Sequence, residues 1–209
     1  MTPIVLATRN AHKIAEIRQI LAGIVPILSQ NDFPVAPAAA EDADTFAGNA
    51  AKKAETLAAW LTTHSPNGPC WVLADDSGLE VEALDGAPGV RSARFAAGDA
   101  PGASNASDAD NNAKLLRLLE SVPPPRRAAR FRCVLALAGA GRPSLLFEGI
   151  CRGRIALSPA GAGGFGYDPL FVPVGFTQSF AELGDDVKNS ISHRALALAS
   201  LRRFLGGAA

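Results

Sequence analysis

Apolar residues recur along this chain in short blocks separated by polar turns. Ile4 to Ala7 is a block of strand length. From Asn10 to Ala22, Ile14, Ile17 and Leu21 fall at i, i+3 and i+7, the spacing of one buried helix face. Val25 to Leu28 reads as a second short strand, and Asn31 to Asp44, with Pro34, Pro37 and several carboxylates, as an irregular stretch. The Ala- and Lys-rich segment Thr45 to Thr62 predicts a second helix carrying Phe46, Leu57 and Leu61, stopped by Ser65-Pro66-Asn67-Gly68-Pro69.

Trp71 to Ala74 predicts a buried strand that opens into a polar turn, Asp75-Asp76-Ser77-Gly78, after which Leu79, Val81 and Leu84 form a short strand. Gly86-Ala87-Pro88-Gly89 is a turn, and Ser92-Ala93-Arg94-Phe95 leads out of it. Gly98 to Ser107 is loop-like, and Asp108 to Glu120 reads as a helix ended by Pro123-Pro124-Pro125. Ala129 to Ala138 and Ser144 to Ile155 are long strands joined by Gly139 to Pro143, which predicts an antiparallel hairpin. A glycine-rich loop, Gly161 to Gly166, follows, and a last helix runs from Ser190 to Phe204. The order βαβ, then strands, then a terminal helix gives an α/β fold with a mixed sheet. There is no internal repeat and no long linker, so residues 1–209 are expected to form a single domain.

Composition narrows the function. Of 209 residues 48% are hydrophobic, ample for a core, and Lys+Arg (20) balances Asp+Glu (20). A net charge of zero argues against general nucleic-acid binding, which needs a basic field to replace phosphate counterions. No apolar run approaches the roughly 18–20 residues that span a bilayer, and the apolar start lacks a basic leader region. The three cysteines, Cys70, Cys133 and Cys151, are odd in number and far apart, which disfavours a disulfide scaffold and fits a reducing cytoplasm. Three histidines are too few for a His-rich metal site, but hard-metal carboxylate chemistry stays open.

Five segments carry candidate chemistry. Thr8-Arg9-Asn10-Ala11-His12-Lys13 sits where the first strand meets the first helix. Helix N-termini bind phosphates, and Lys13 there opposes the helix dipole unless an anion accompanies it. A capped helix with solvated charges is the competing reading. Asp75 and Asp76 follow an apolar strand. Adjacent carboxylates there are costly unless a cation or donors satisfy them, and neighbours on a strand point to opposite sides, so one faces a site while the other braces the turn. A simple Asx-turn is the alternative. Within Glu41-Asp42-Ala43-Asp44, Asp44 suits a helix cap, and Glu41 suits either solvent or a metal. Gly161 to Pro169 allows close backbone approach to a ligand, with Phe165 and Tyr167 as stacking candidates, or is only a connecting loop. In Lys188-Asn189-Ser190-Ile191-Ser192-His193-Arg194, Asn189 or Ser190 is expected to cap the last helix and place His193 and Arg194 in its first turns. Cations again crowd a helix start, although a surface His-Arg pair would explain as much. No Walker A loop, GxSxG elbow or GxGxxG fingerprint is present. The shared theme is a phosphorylated small molecule with Mg²⁺.

In this order the segments resemble the non-canonical purine nucleoside triphosphate pyrophosphatases, the inosine triphosphatase (Ham1/RdgB-like) family. The resemblance rests on Leu6-Ala7-Thr8-x-Asn10-x-x-Lys13-x-x-Glu16, Thr45-Phe46-x-x-Asn49-Ala50-x-x-Lys53-Ala54 and Ala74-Asp75-Asp76-Ser77-Gly78-Leu79. It continues in Gly86-Ala87-Pro88-Gly89-Val90-x-Ser92-Ala93-Arg94, Gly164-Phe165-Gly166-Tyr167-Asp168-Pro169 and Ser190-x-Ser192-His193-Arg194. It implies an elongated two-lobed α/β fold, with a central twisted mixed β-sheet flanked by helices and an active-site cleft between lobes, usually as a homodimer. It also implies hydrolysis of ITP, dITP or XTP to the monophosphate and pyrophosphate. By the same resemblance Thr8 to Lys13 cradle phosphates, and Asp76 is the general base and a Mg²⁺-linked carboxylate. Glu41 is the second metal-side carboxylate. Ser77, Phe165, Gly166, Tyr167, Asp168, Lys188, His193 and Arg194 contact substrate. Arg9 stands where many members have a small residue and adds a phosphate contact or narrows the loop. A pyrophosphatase for another nucleotide and a non-catalytic nucleotide sensor are the alternatives.

Overall fold

The buried strands predicted above assemble into one open sheet of six, in the order β2-β1-β3-β4-β5-β6. The computed structural model describes residues 3–64, 70–97, 104–139 and 141–206. The expected turn at 65–69, residues 98–103 of the expected loop and Ala140 of the expected hairpin connection lie outside the described residues. The strands are β1 (Ile4–Leu6), β2 (Ile27–Ser29), β3 (Trp71–Val81), β4 (Ala128–Ala138), β5 (Leu145–Ile155) and β6 (Phe171–Pro173). The helices are α1 (Ala11–Ile20), α2 (Phe46–His64), α3 (Asp108–Leu118), α4 (Phe180–Ile191) and α5 (His193–Gly206).

The sheet is mixed. Val5 of β1 aligns with Leu28 of β2 and Val72 of β3, both parallel, and Arg154 of β5 aligns with Val172 of β6, antiparallel. At the far end of β5 the Ile155 N–H donates to the Arg127 carbonyl just before β4 (2.9 Å), as the expected hairpin requires.

Three differences from the sequence reading matter for function. First, Asp75 to Gly78 is no turn: β3 runs without interruption from Trp71 to Val81. The carboxylates stay in a buried strand because cations and an amide satisfy them. Second, the C-terminal helix is two helices. α4 is started by a reciprocal cap between Ser179 and Glu182, and Ser192, with extended backbone, separates it from α5. Asn189 and Ser190 lie inside α4 and cap nothing; Ser190 Oγ donates to Val187 O (2.7 Å). Third, Asp44 does not cap α2; Thr45 Oγ1 accepts the Gly48 N–H instead (3.0 Å). In addition, Leu84 and Ser92 belong to short 3₁₀ turns, Glu82–Leu84 and Gly89–Arg94, and the three-residue β6 carried too little pattern to be read from sequence.

The chain divides into two compact units, the first drawn from residues 1–76, 133–149 and 194–209 and the second from 77–132 and 150–193. Each has its own core. In the first, Ile14, Ile17 and Leu21 of the α1 face pack with Leu6, Leu73, Leu135, Leu137, Leu198 and Leu201. In the second, Leu79, Val81, Leu115, Phe131, Tyr167, Phe171 and Phe180 form the cluster. Each fully buried Leu, Ile or Phe contributes about 1.5–3 kcal/mol. The continuous run Val134 to Ala138 is buried throughout, as expected of a strand covered on both faces.

Candidate active site

In the first unit, β1 delivers the chain to the start of α1. Thr8 Oγ1 accepts the Asn10 N–H (3.2 Å), and Asn10 caps the helix by accepting the Lys13 N–H (3.1 Å). Ala11 and His12 are exposed in the first turn. Lys13 turns inward and forms an ion pair with Asp75. The anion that offsets a cation at this helix start is therefore a carboxylate of the protein. Arg9 Nη2 donates to Ala36 O (3.1 Å) and ties the loop to the irregular stretch.

Asp75 and Asp76 point to opposite sides of β3, as strand geometry demands. Asp75 is 2% exposed. It accepts from Arg194 Nε (2.8 Å) and the Cys133 thiol (3.2 Å) besides Lys13, and Arg194 pairs in turn with Glu16. Burial alone would raise the Asp75 pKa, but Arg194 and Lys13 outweigh it and hold the carboxyl well below its usual range. Burial beside Asp75 pushes the Cys133 thiol well up, so it stays protonated and donates.

Asp76 faces α2. Lys53 Nζ donates to Asp76 Oδ1 (2.8 Å) and to the Asp75 carbonyl (2.9 Å), and lies 3.5 Å from Glu41 Oε1. Asn49, one turn earlier and fully buried, donates to Asp76 Oδ2 (3.3 Å) and exchanges hydrogen bonds with the Ala43 backbone. One amide thus sets both Asp76 and the segment that carries Glu41. Burial raises the Asp76 pKa above the ordinary carboxylate value despite Lys53 and Lys13. Burial by itself would depress Lys53, but Asp76, Glu41 and Asp75 overcome this and raise it. Among the described residues no group of three or more His, Cys, Asp or Glu could cage a metal. Glu41 and Asp76, the two carboxylates that share the Lys53 ammonium, are hard oxygen donors that could hold a divalent cation whose remaining positions substrate oxygens and water would fill.

The second unit begins on β3 at Ser77 and contains the glycine-rich loop. Asp168 is buried and accepts both the Phe165 N–H (2.8 Å) and Lys188 Nζ (2.6 Å). Lys188 also stands 4.5 Å from the centroid of the Phe165 ring, within cation–π range. Gly164 has φ +71°, and a Cβ built there would lie 2.2 Å from Asp168 Oδ2. Gly164→Ala is therefore expected to displace the Asp168 carboxylate and to lower stability by about 2 kcal/mol, read by denaturant unfolding; an unchanged midpoint would contradict the close approach.

Three expected substrate contacts, Tyr167, His193 and Arg194, have other duties. Tyr167 is 4% exposed, and its hydroxyl donates to Ser92 O (2.9 Å). Its ring belongs to the core, and its carbonyl accepts the Leu170 and Phe171 N–H groups (2.9 and 3.1 Å). His193 is buried, with its ring stacked on Phe131 at 4.7 Å between centroids. Arg194 lies in the first turn of α5, as expected, although that helix starts at His193 and not at Ser190, and its side chain serves the Asp75 cluster.

Lys53, Asn49 and Glu16 received no role from sequence, although each sits inside a quoted motif. Asn49 and Lys53 are four apart and Lys13 and Glu16 three apart, spacings that share a helix face; that signal was available. The pairings of Asp75 with Cys133 and Arg194 had no local signal.

The sequence matches the Ham1 family over residues 4–204. It is 50% identical to a dITP/XTP pyrophosphatase of Porphyromonas gingivalis over 98% of each chain. It is 44% identical to a dITP/XTP pyrophosphatase of Shouchella clausii, covering 99% of this chain and 98% of that one. The fold superposes on the structure of a HAM1 protein from Coxiella burnetii with a TM-score of 0.84 and 38% identity, covering 99% of this chain and 100% of the other.

Proposed function

This chain belongs to the Ham1 family, and on that premise we propose that it hydrolyses non-canonical purine nucleoside triphosphates, dITP, ITP and XTP, to the monophosphate and pyrophosphate. The observation that carries the reading is Asp76, a buried carboxylate with a raised pKa, held by Lys53 and Asn49 on the neighbouring helix.

Water attacks the α-phosphorus and pyrophosphate leaves. Asp76 orients the water and accepts its proton, a role that suits a carboxylate whose basicity burial has increased. Thr8 to Lys13 take the phosphates, where the positive end of the α1 dipole and the Lys13 ammonium oppose the charge that develops on the leaving oxygens. Glu41 and Asp76 would hold Mg²⁺, which would supply Lewis-acid stabilisation of phosphoryl oxygens. Lys53 keeps the two carboxylates compensated.

Base choice is assigned to the second unit. Lys188 presents a donor, the Phe165 ring supplies an apolar surface, and Asp168 fixes Lys188. Donors aimed at a 6-oxo group leave the 6-amino group of adenine mispaired, and buried polar groups left unpaired discriminate strongly.

Neither unit is a continuous segment, since the chain crosses between them at 76/77, 132/133, 149/150 and 193/194; we take residues 1–209 as one functional domain. A homodimer is part of the proposal. So is a cytoplasmic location, which the free cysteines Cys70, Cys133 and Cys151 fit; among the described residues no helix is long and apolar enough to cross a membrane.

The test is product analysis with Mg²⁺ across ITP, XTP, dITP, GTP, ATP and dTTP. Pyrophosphate from the inosine and xanthine nucleotides, with little from GTP or ATP, is the expected result. Orthophosphate would place attack at the γ-phosphorus and overturn the mechanism. Binding without turnover would make the protein a sensor.

A further inference from the structure

The loop from Phe165 to Asp168 does not hold its own centre. Gly166 has φ +63°, and a Cβ there would meet nothing within 4 Å. The loop therefore needs glycine for its backbone angle and has open space beside it. Both polar groups of Gly166 are taken by α3. Its N–H donates to Asp108 Oδ2 (2.6 Å), and its carbonyl accepts from Asn112 Nδ2 (2.9 Å). Asp108 and Asn112 are one helical turn apart and so share a face. The helix that carries them is itself fixed. Ser107 Oγ caps it by accepting the Asp110 N–H (3.1 Å), and Asn111 accepts from the Ala96 N–H (2.8 Å) and donates to Ala93 O (3.2 Å).

A second observation singles out Asn112. It is 9% exposed, and its Oδ1 is buried with no hydrogen-bond partner among the described residues. For stability alone an apolar side chain of this size would serve better there, because a buried acceptor without a donor is costly. Among the described residues, the Gly166 carbonyl is the hydrogen-bond partner of the Asn112 side chain.

We propose that Asp108 and Asn112 are positioning residues, a two-point clamp from α3 that fixes the Gly166 peptide groups and so sets the Phe165–Asp168 loop for the nucleotide base. The clamp rests on the assignment of that loop to substrate. It touches neither the reacting phosphorus nor Asp76. Its loss therefore weakens substrate binding and leaves the chemical step in place.

Hydrogen exchange of the unliganded protein and steady-state kinetics with ITP test this together, on Asn112→Leu, Asp108→Ala and Asp108→Asn. Asn112→Leu and Asp108→Ala are expected to speed exchange of segment 164–168 and to raise KM about tenfold, the worth of one such hydrogen bond, with kcat changed less than about threefold. Asn112→Leu also removes the unpartnered acceptor, so its Tm is expected to stay within about 3 °C of wild type. Asp108→Asn keeps an acceptor for the Gly166 N–H and is expected to restore most of the wild-type KM. An active wild type whose Asn112→Leu and Asp108→Ala variants keep both KM and loop protection overturns the clamp. So does a Tm loss that accounts for the change in KM. If wild type releases no pyrophosphate from ITP, the substrate assignment fails instead, and the exchange rates of the unliganded variants still decide whether the clamp exists.

Discussion

Replacing Asp76 by Asn is expected to lower kcat for ITP by about 10²–10⁴-fold, the range for loss of a general base, with KM changed only a few-fold. The side chain keeps its shape and can still bond Asn49, but it can no longer take a proton from water. The structure adds a pH signature. In the metal-free protein burial raises the Asp76 pKa over the opposing effect of Lys53 and Lys13, so without Mg²⁺ its titration, followed by NMR, should lie above the ordinary carboxylate range and vanish in the variant. It adds a stability signature as well. A carboxyl whose folded pKa is raised takes stability away as pH rises through its unfolded value, because the folded state then binds more protons than the unfolded one. Asp76→Asn is therefore expected to keep or gain heat stability near neutral pH while losing turnover. Near-wild-type turnover would remove Asp76 from the catalytic role.

The neighbouring carboxylate should behave in the opposite way. Asp75→Ala is expected to destabilise the protein by about 3–5 kcal/mol, the cost of breaking a buried ion pair by removing one partner, and to lower Tm by roughly 10 °C. Arg194 is 1% exposed and pairs with Asp75 and Glu16. Without Asp75 its charge is half compensated, Lys13 loses its anchor, and the Cys133 thiol loses its acceptor. The folded pKa of Asp75 is depressed, so its contribution is present above its unfolded pKa and lost as pH falls through the lower folded value. Wild type should thus resist mild acid better than the variant, and the gap should close only below the ordinary carboxylate range. Asp42→Asn is the control. Its partner Lys52 is also exposed, and surface pairs of this kind contribute little, so no measurable change in Tm is expected. If Asp75→Ala unfolded at the wild-type temperature, the cluster around Arg194 would have no structural role.

Several site residues were legible before any coordinates. Asn10 and Lys13 follow from a strand that meets an amphipathic helix, and the inward face of α1 follows from Ile14, Ile17 and Leu21. Asp76 came from an ordered motif and Glu41 from the acidic segment 41–44, and both stand beside Lys53. Other readings failed for physical reasons. Two adjacent aspartates look like a turn when their partners are unknown, because unsatisfied carboxylates do not belong in a buried strand. Those partners lie far away along the chain. Arg194 is 119 residues from Asp75, and Cys133 is 58. Tyr167 looked like a stacking ring because it is the only tyrosine and sits in a glycine-rich loop; its hydroxyl is instead spent on Ser92 inside a core.

What this sequence determines by itself is local and periodic: the helix faces, the strand blocks, the glycines that a loop's backbone requires, and the family to which the ordered motifs point. These depend on residues a few positions apart, where the spacing of side chains is set by the helix or strand that contains them. The division of labour between Asp75 and Asp76 was decided only by tertiary structure. They are the same residue type at neighbouring positions. One became a structural anchor with a depressed pKa and the other a candidate base with a raised one, because α1 and α5 bring cations to the first, and α2 brings a single lysine and an amide to the second.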